Sequence, residues 1–155
     1  MELGTGLFTC QSRPDDDRST SELYDEMLTV AGAAEDAATD EIEIGTCIAL
    51  APLYDGVRLA EDVATADNIS GGRVTLGMAI GSNPAEFEAF GVPIDERVER
   101  LADQVGLLRA AWSEGELDYD ADFHDVSPDV NVTPKPVGND VPIMLGGGAK
   151  PAVRR

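Results

Sequence analysis

Val74-Thr75-Leu76-Gly77-Met78-Ala79-Ile80-Gly81 is the stretch on which the fold turns. Successive side chains of a strand point to opposite faces. One face therefore carries Val74, Leu76, Met78 and Ile80, and the other Thr75, Gly77, Ala79 and Gly81. The bulky face suits packing beneath helices in a parallel α/β sheet. The small face leaves either a floor for something flat, such as a planar cofactor ring, or room for close backbone packing inside a barrel. The strand alone leaves both readings open.

Upstream, Gly71 and Gly72 accept the positive φ of a tight reversal, which ends a helix opened by Asp55 and carrying Leu59, Val63 and Ala66 on one side. Before that helix, Glu41 to Leu50 reads as a strand with Ile42, Ile44, Thr46 and Ile48 on alternate positions. Further upstream, Leu3 to Thr9 predicts a strand, and the Ser19/Glu22 capping-box spacing starts a helix running from about Thr20 to Ala37. Downstream, a loop with Pro84 and Pro93 leads to a helix from Asp95. Its Val98, Leu101, Val105, Leu108 and Trp112 form one apolar stripe, and Gly115 lies just past its end. Glu116 to Val132 is acidic and reads as a hairpin or irregular excursion; a last strand spans Pro142 to Leu145.

Strands alternating with helices at this spacing imply right-handed βαβ units. The expected fold is α/β, with about four parallel strands and flanking helices in a single domain over 1–155. At 155 residues the chain is short of the roughly 250 that a (β/α)8 barrel takes. Four parallel strands cannot close a barrel, so self-association is expected.

Thirty Asp and Glu against eleven Lys and Arg give a formal charge of -19. That balance disfavours a nucleic-acid partner. Dispersed like charge repels itself at low ionic strength and is screened at molar salt, where the Debye length is about 3 Å. A halophilic cytoplasm is the reading that fits. No stretch approaches a membrane span and the N-terminus lacks the pattern of a signal peptide. Cys10 and Cys47 make neither a CxxC pair nor a metal cluster and read as free thiols.

Few residues announce chemistry. Gly77 to Gly81 is not GxGxxG, and Gly146-Gly147-Gly148 has no Lys or acidic ribose partner at the expected spacing, which argues against a dinucleotide or P-loop site. His124, the single histidine, lies in the acidic excursion beside Asp125 and reads as a surface residue without a second metal-ligand type. Trp112 ends the apolar stripe and reads as core.

Several blocks nonetheless have a familiar order. They are Ile44-Gly45-Thr46-Cys47-Ile48-Ala49-Leu50, Val57-Arg58-Leu59-Ala60-Glu61-Asp62, Ser70-Gly71-Gly72-Arg73, Leu76 to Gly81, and Pro84-Ala85-Glu86-Phe87-Glu88-Ala89-Phe90-Gly91-Val92-Pro93. Together they resemble the third and fourth βα units of the luciferase-like, flavin-dependent monooxygenases, and Val141 to Gly147 resembles that family's fifth strand. The resemblance covers about two thirds of the chain and implies part of a TIM barrel holding reduced FMN, or alternatively the deazaflavin coenzyme F420, at the C-terminal ends of its strands. It places a non-proline cis peptide at Cys47 to Ile48 beneath the ring. It makes Thr46, Cys47, Ile48, Gly77 and Ala79 the candidates for lining that ring, with a small organic molecule as substrate and no catalytic residue assigned.

The chain departs from the family pattern at three places. Ile80 stands where luciferases proper have a basic residue. The first helix runs directly into Thr39-Asp40, which resembles the end of the family's second helix, so the second strand with its acidic-His-His segment is missing. The chain stops near the start of the fifth helix. The resemblance therefore implies an incomplete barrel, inactive as an isolated chain, with a non-catalytic remnant or a fragment that assembles with another chain as the alternative.

Overall fold

The computed structural model describes residues 43–146, together with Asp25 and Thr29. The expected strand at Leu3 to Thr9 lies outside the described residues. So does the helix from Thr20 to Ala37, apart from Asp25 and Thr29, which are helical and joined by a 2.7 Å bond from the Thr29 hydroxyl to the Asp25 carbonyl.

Residues 43–146 are built around the strand Val74–Ala79. In chain order, β1 is Ile44–Gly45, β2 Ala49–Leu50, β3 Val74–Ala79, β4 Tyr119–Asp120, β5 Asp125–Val126 and β6 Ile143–Leu145. The α-helices are α1, Gly56–Ser70; α2, Pro84–Phe90; and α3, Arg97–Trp112.

β1, β2 and β6 all pair with β3 in parallel. The amide of Ile44 donates to the Arg73 carbonyl at 2.8 Å, whereas Leu76 donates to Pro142 at 2.8 Å and Met78 accepts from Gly146 at 2.7 Å. Alternate β3 residues thus hydrogen-bond to opposite sides, which puts β1 and β2 along one edge and β6 along the other. The expected strand from Glu41 to Leu50 is, over its described part, two short pieces. Its register explains the break: Gly45 lies opposite Thr75 and Ala49 opposite Met78. Thr46, Cys47 and Ile48 therefore span what Leu76 and Gly77 span on the partner, and one residue is extra. This is a bulge.

The two faces of β3 behave as their side chains demand. Leu76 and Met78 are fully buried and Val74 nearly so, in one core with Leu59, Val63, Leu101, Leu107, Leu108 and Trp112. Thr75 and Ala79, on the other face, are half-exposed. Trp112 is core as expected, and its indole N–H finds the Ala60 carbonyl at 3.1 Å.

Asp55 caps α1 by accepting the Arg58 amide at 2.9 Å, and Gly71 ends it at φ 73°. The buried stripe of α1 is Leu59, Ala60, Val63, Ala64 and Asp67; Ala66, expected on that side, is exposed. Asp67 is buried because its carboxylate accepts the amides of Val74 at 3.2 Å and Val137 at 2.9 Å, tying the start of β3 to the loop before β6.

One element differs from the sequence reading, and another takes one of the two forms left open there. The stretch read as a loop with Pro84 and Pro93 contains α2. Pro84 sits at the first helical position, where its missing N–H costs nothing, and Asn83 caps the helix by accepting the Ala85 amide at 3.1 Å. The acidic excursion resolves as the antiparallel hairpin β4–β5.

His124 in that hairpin is not the surface residue expected. Its side chain is 17% exposed and bonds through Nδ1 to Asp103 Oδ2 at 3.0 Å. Asp103 also accepts the Phe123 amide at 2.9 Å and the Tyr119 hydroxyl at 2.8 Å. One α3 carboxylate thus gathers three hairpin donors, and Arg100 stacks on the Phe123 ring 4.5 Å from its centroid.

Candidate cofactor site

The bulge between β1 and β2 supplies the least ordinary backbone. The Cys47–Ile48 peptide is cis with no proline, at the position the sequence resemblance gives. Two contacts seat the segment on β3. The Thr46 hydroxyl donates to the Gly77 carbonyl at 2.8 Å, and the Thr46 carbonyl oxygen occupies the space that a Cβ on Gly77 would need. Gly77 is therefore glycine because a neighbouring backbone takes its side-chain volume.

That contact sorts the five candidate residues. Cys47 and Ile48 are exposed on top of the bulge, and Cys47 carries a free thiol. Ala79 lies half-exposed at the C-terminal end of β3, and the δ-methyl of Ile48 fills the place where a Gly146 Cβ would stand, with the Ala79 methyl 3.6 Å from the same point. Cys47, Ile48, Ala79 and Gly146 thus form one surface. Gly77 lies buried beneath it, and Thr46, itself exposed, is tied to β3 through its hydroxyl.

Beside this surface an open cleft of about 430 Å³ is lined by Ile48, Leu50, Leu53, Tyr54, Asp55, Glu86 and Phe90. Ile48 belongs to both. Sequence reasoning missed Tyr54, Glu86 and Phe90; the available signal was the recurrence of Glu86 and Phe90 four residues apart, which puts them on neighbouring turns once α2 is recognised as a helix. Among the described residues the cleft lining contains two carboxylates and no cation. Among the described residues, no group of three or more His, Cys, Asp or Glu could hold a metal ion, and no helix is long and apolar enough to cross a membrane.

A flavin or deazaflavin ring needs a flat, largely apolar support with one face open, and the Cys47–Ile48 peptide with Ile48 and Ala79 has that character. The phosphate end of such a cofactor needs cations or several convergent donors, and among the described lining residues there is no cation and one side-chain hydroxyl donor, Tyr54. The residues fit the ring and leave its phosphate to groups elsewhere.

A parallel sheet with its bulge and cleft at the C-terminal strand ends defines a barrel-type α/β enzyme fold, in which loops at that end carry the chemistry. The sequence pattern of the luciferase-like monooxygenases matches residues 7–155, and the chain belongs to that family. It is 35% identical over 117 residues to an uncharacterized protein of Mycobacterium tuberculosis, covering 76% of this chain and 41% of that protein. It is 29% identical over 132 residues to an FMNH2-dependent dimethylsulfone monooxygenase of Pseudomonas putida, covering 83% and 36%. Among solved structures, monooxygenase RslO1 of Streptomyces bottropensis superposes with a TM-score of 0.69 at 28% identity, over 82% of this chain and 37% of that one. An F420-dependent secondary alcohol dehydrogenase, at 24% identity and a TM-score of 0.61 over 77% and 36%, shares the fold. The chain spans well under half the length of these relatives.

Proposed function

We propose that this chain carries the ring-supporting part of an oxidoreductase that works with reduced FMN or, alternatively, F420. The observation that carries the reading is the exposed cis peptide Cys47–Ile48, seated on β3 through Thr46 and Gly77 and bordered by Ala79. The names of the relatives, FMNH2-dependent and F420-dependent, support the choice of cofactors. When bound, the cofactor supplies the electrons that reduce oxygen or an organic substrate.

The chain's own residues do the positioning. The peptide face at Cys47 and Ile48 supports the ring from one side, the Ala79 methyl excludes water beneath its edge, and the adjoining cleft takes the organic substrate. Thr46 and Gly77 touch neither; they fix the height of the support. We assign His124 no proton transfer, because it lies outside the cleft lining, with its Nδ1 bonded to Asp103 and its ring beside Gly56.

The isolated chain is expected to hold cofactor weakly and not to turn over. Each missing charge-assisted phosphate bond removes about 1.5–3 kcal/mol, which over several bonds is orders of magnitude in affinity. Titrating FMN and F420 into the full chain in high salt by fluorescence quenching, with an assay of reduced-cofactor oxidation, tests this. The expected result is weak binding and oxidation at the protein-free rate. Micromolar binding with faster turnover would contradict it.

A second reading, assembly with a complementing chain or with itself, is favoured by the exposure of Ile44, Ile48 and Met144, apolar residues 48%, 42% and 61% exposed on the parallel sheet and its bulge. Light scattering decides it: larger species are expected, and a monodisperse 16.4 kDa monomer would count against assembly.

A further inference from the structure

We infer that the cleft beside Ile48 selects a small organic cation with an aromatic or branched apolar body, such as a primary amine. The inference rests on the proposed function only in taking this cleft as the substrate's place; the electrostatics are independent of any cofactor.

The walls are apolar: Ile48, Leu50 and Leu53, with Tyr54 and Phe90 offering rings that are 51% and 64% exposed. At about 430 Å³ the cleft has the size of a small-molecule site. Aromatic faces left open to solvent attract cations as well as apolar groups. The two carboxylates differ in what they can offer. Asp55 is committed to capping α1 through the Arg58 amide at 2.9 Å. The carboxylate of Glu86, half-buried in the first turn of α2, has no hydrogen-bond or ion-pair partner among the described residues.

The nearest basic residue in sequence cannot neutralise the cleft. Arg58 turns along α1, 3.2 Å from Asp62 and 3.9 Å from Glu61. The chain's -19 charge adds a field of the same sign. An anionic substrate would meet this field with no cation among the described lining residues to pair it, whereas an ammonium group can donate charge-assisted hydrogen bonds to the Glu86 carboxylate while its apolar body lies between Tyr54 and Phe90.

The test compares three probes of one shape: tyramine, the neutral 4-methylphenol and the anionic 4-hydroxyphenylacetate. Each is titrated calorimetrically into the full chain at one ionic strength without cofactor. Tyramine is expected to bind about tenfold or more tighter than 4-methylphenol, as one charge-assisted bond implies, with 4-hydroxyphenylacetate weakest. Glu86→Gln is expected to abolish the preference for tyramine, Phe90→Ala to weaken tyramine and 4-methylphenol alike, and Glu88→Gln, an exposed acid on the same helix outside the cleft, to change neither. Equal affinity for tyramine and 4-methylphenol, or a preference that survives Glu86→Gln, would overturn the inference. Loss of the preference in Glu88→Gln as well would overturn it in favour of general surface charge. FMN affinity measured on the same variants keeps the two proposals apart, because the amine preference holds or fails whether or not FMN binds.

Discussion

Gly77 and Thr46 exchange volume and a hydrogen bond across one register position. A methyl group on Gly77 meets a backbone oxygen, which cannot swing aside as a side chain would. Gly77→Ala should therefore destabilise the chain by about 1–3 kcal/mol, the cost of overpacking a tight site, measurable by urea unfolding; an unchanged midpoint would show that the bulge relaxes freely. Tyr119 offers a pH test. Burial, then the hydrogen bond and the negative charge of Asp103, push its phenol up to about 12 from 10.0. The neutral phenol is thus favoured in the folded state, so its contribution to stability is complete below pH 10 and lost as pH rises from about 10 towards 12. Tyr119→Phe should flatten the stability curve in that window. A wild-type curve already flat there would contradict the assignment.

At the level of elements, α3 was legible from its helical periodicity, although of the expected stripe Leu101, Leu108 and Trp112 are buried and Val98 and Val105 only half-buried, with Gln104, Leu107 and Ala111 completing the buried side; β3 was legible because its large and small residues alternate without exception. The bulge was not. Alternating Ile44, Thr46 and Ile48 read as an unbroken strand, since one extra residue appears only when the partner's register is known. α2 was hidden by Pro84, which breaks a helix interior but begins a helix well. His124 was misread because its neighbours in sequence are acidic and exposed, while the group that holds it, Asp103, lies 21 residues away on α3. The same non-locality gives a prediction. Asp103→Ala leaves the Phe123 amide and His124 Nδ1 without their acceptor, while the Tyr119 hydroxyl keeps the Asp103 carbonyl at 3.0 Å, and should cost about 2–4 kcal/mol. Hydrogen exchange should show the loss concentrated in β4–β5; uniform protection across the chain would contradict the tie.

Over the whole molecule, charge and shape pull in different directions. The -19 charge opposes compaction at low salt, and exposed apolar residues on the sheet, Ile44 and Met144, promote association once that charge is screened. The chain should gain unfolding midpoint between 0.1 M and molar salt, where the Debye length falls from about 10 to about 3 Å; equal midpoints would remove the halophilic reading. Membership of the luciferase-like family was legible from motif order across the chain, and the cis peptide stands where that order put it. The cleft was not legible, because Tyr54 and Phe90 come together only where the segment after β2 meets helix α2.

Support of a flavin-type ring by the bulge is tested most simply with the ring alone. Lumiflavin, which lacks the phosphate, is titrated into isotopically labelled chain in high salt while amide resonances are followed. Saturable shifts are expected, largest at Cys47, Ile48, Ala79 and Gly146, with smaller ones at Gly77 beneath. Shifts that are absent there, or that centre on the β4–β5 hairpin instead, would contradict it.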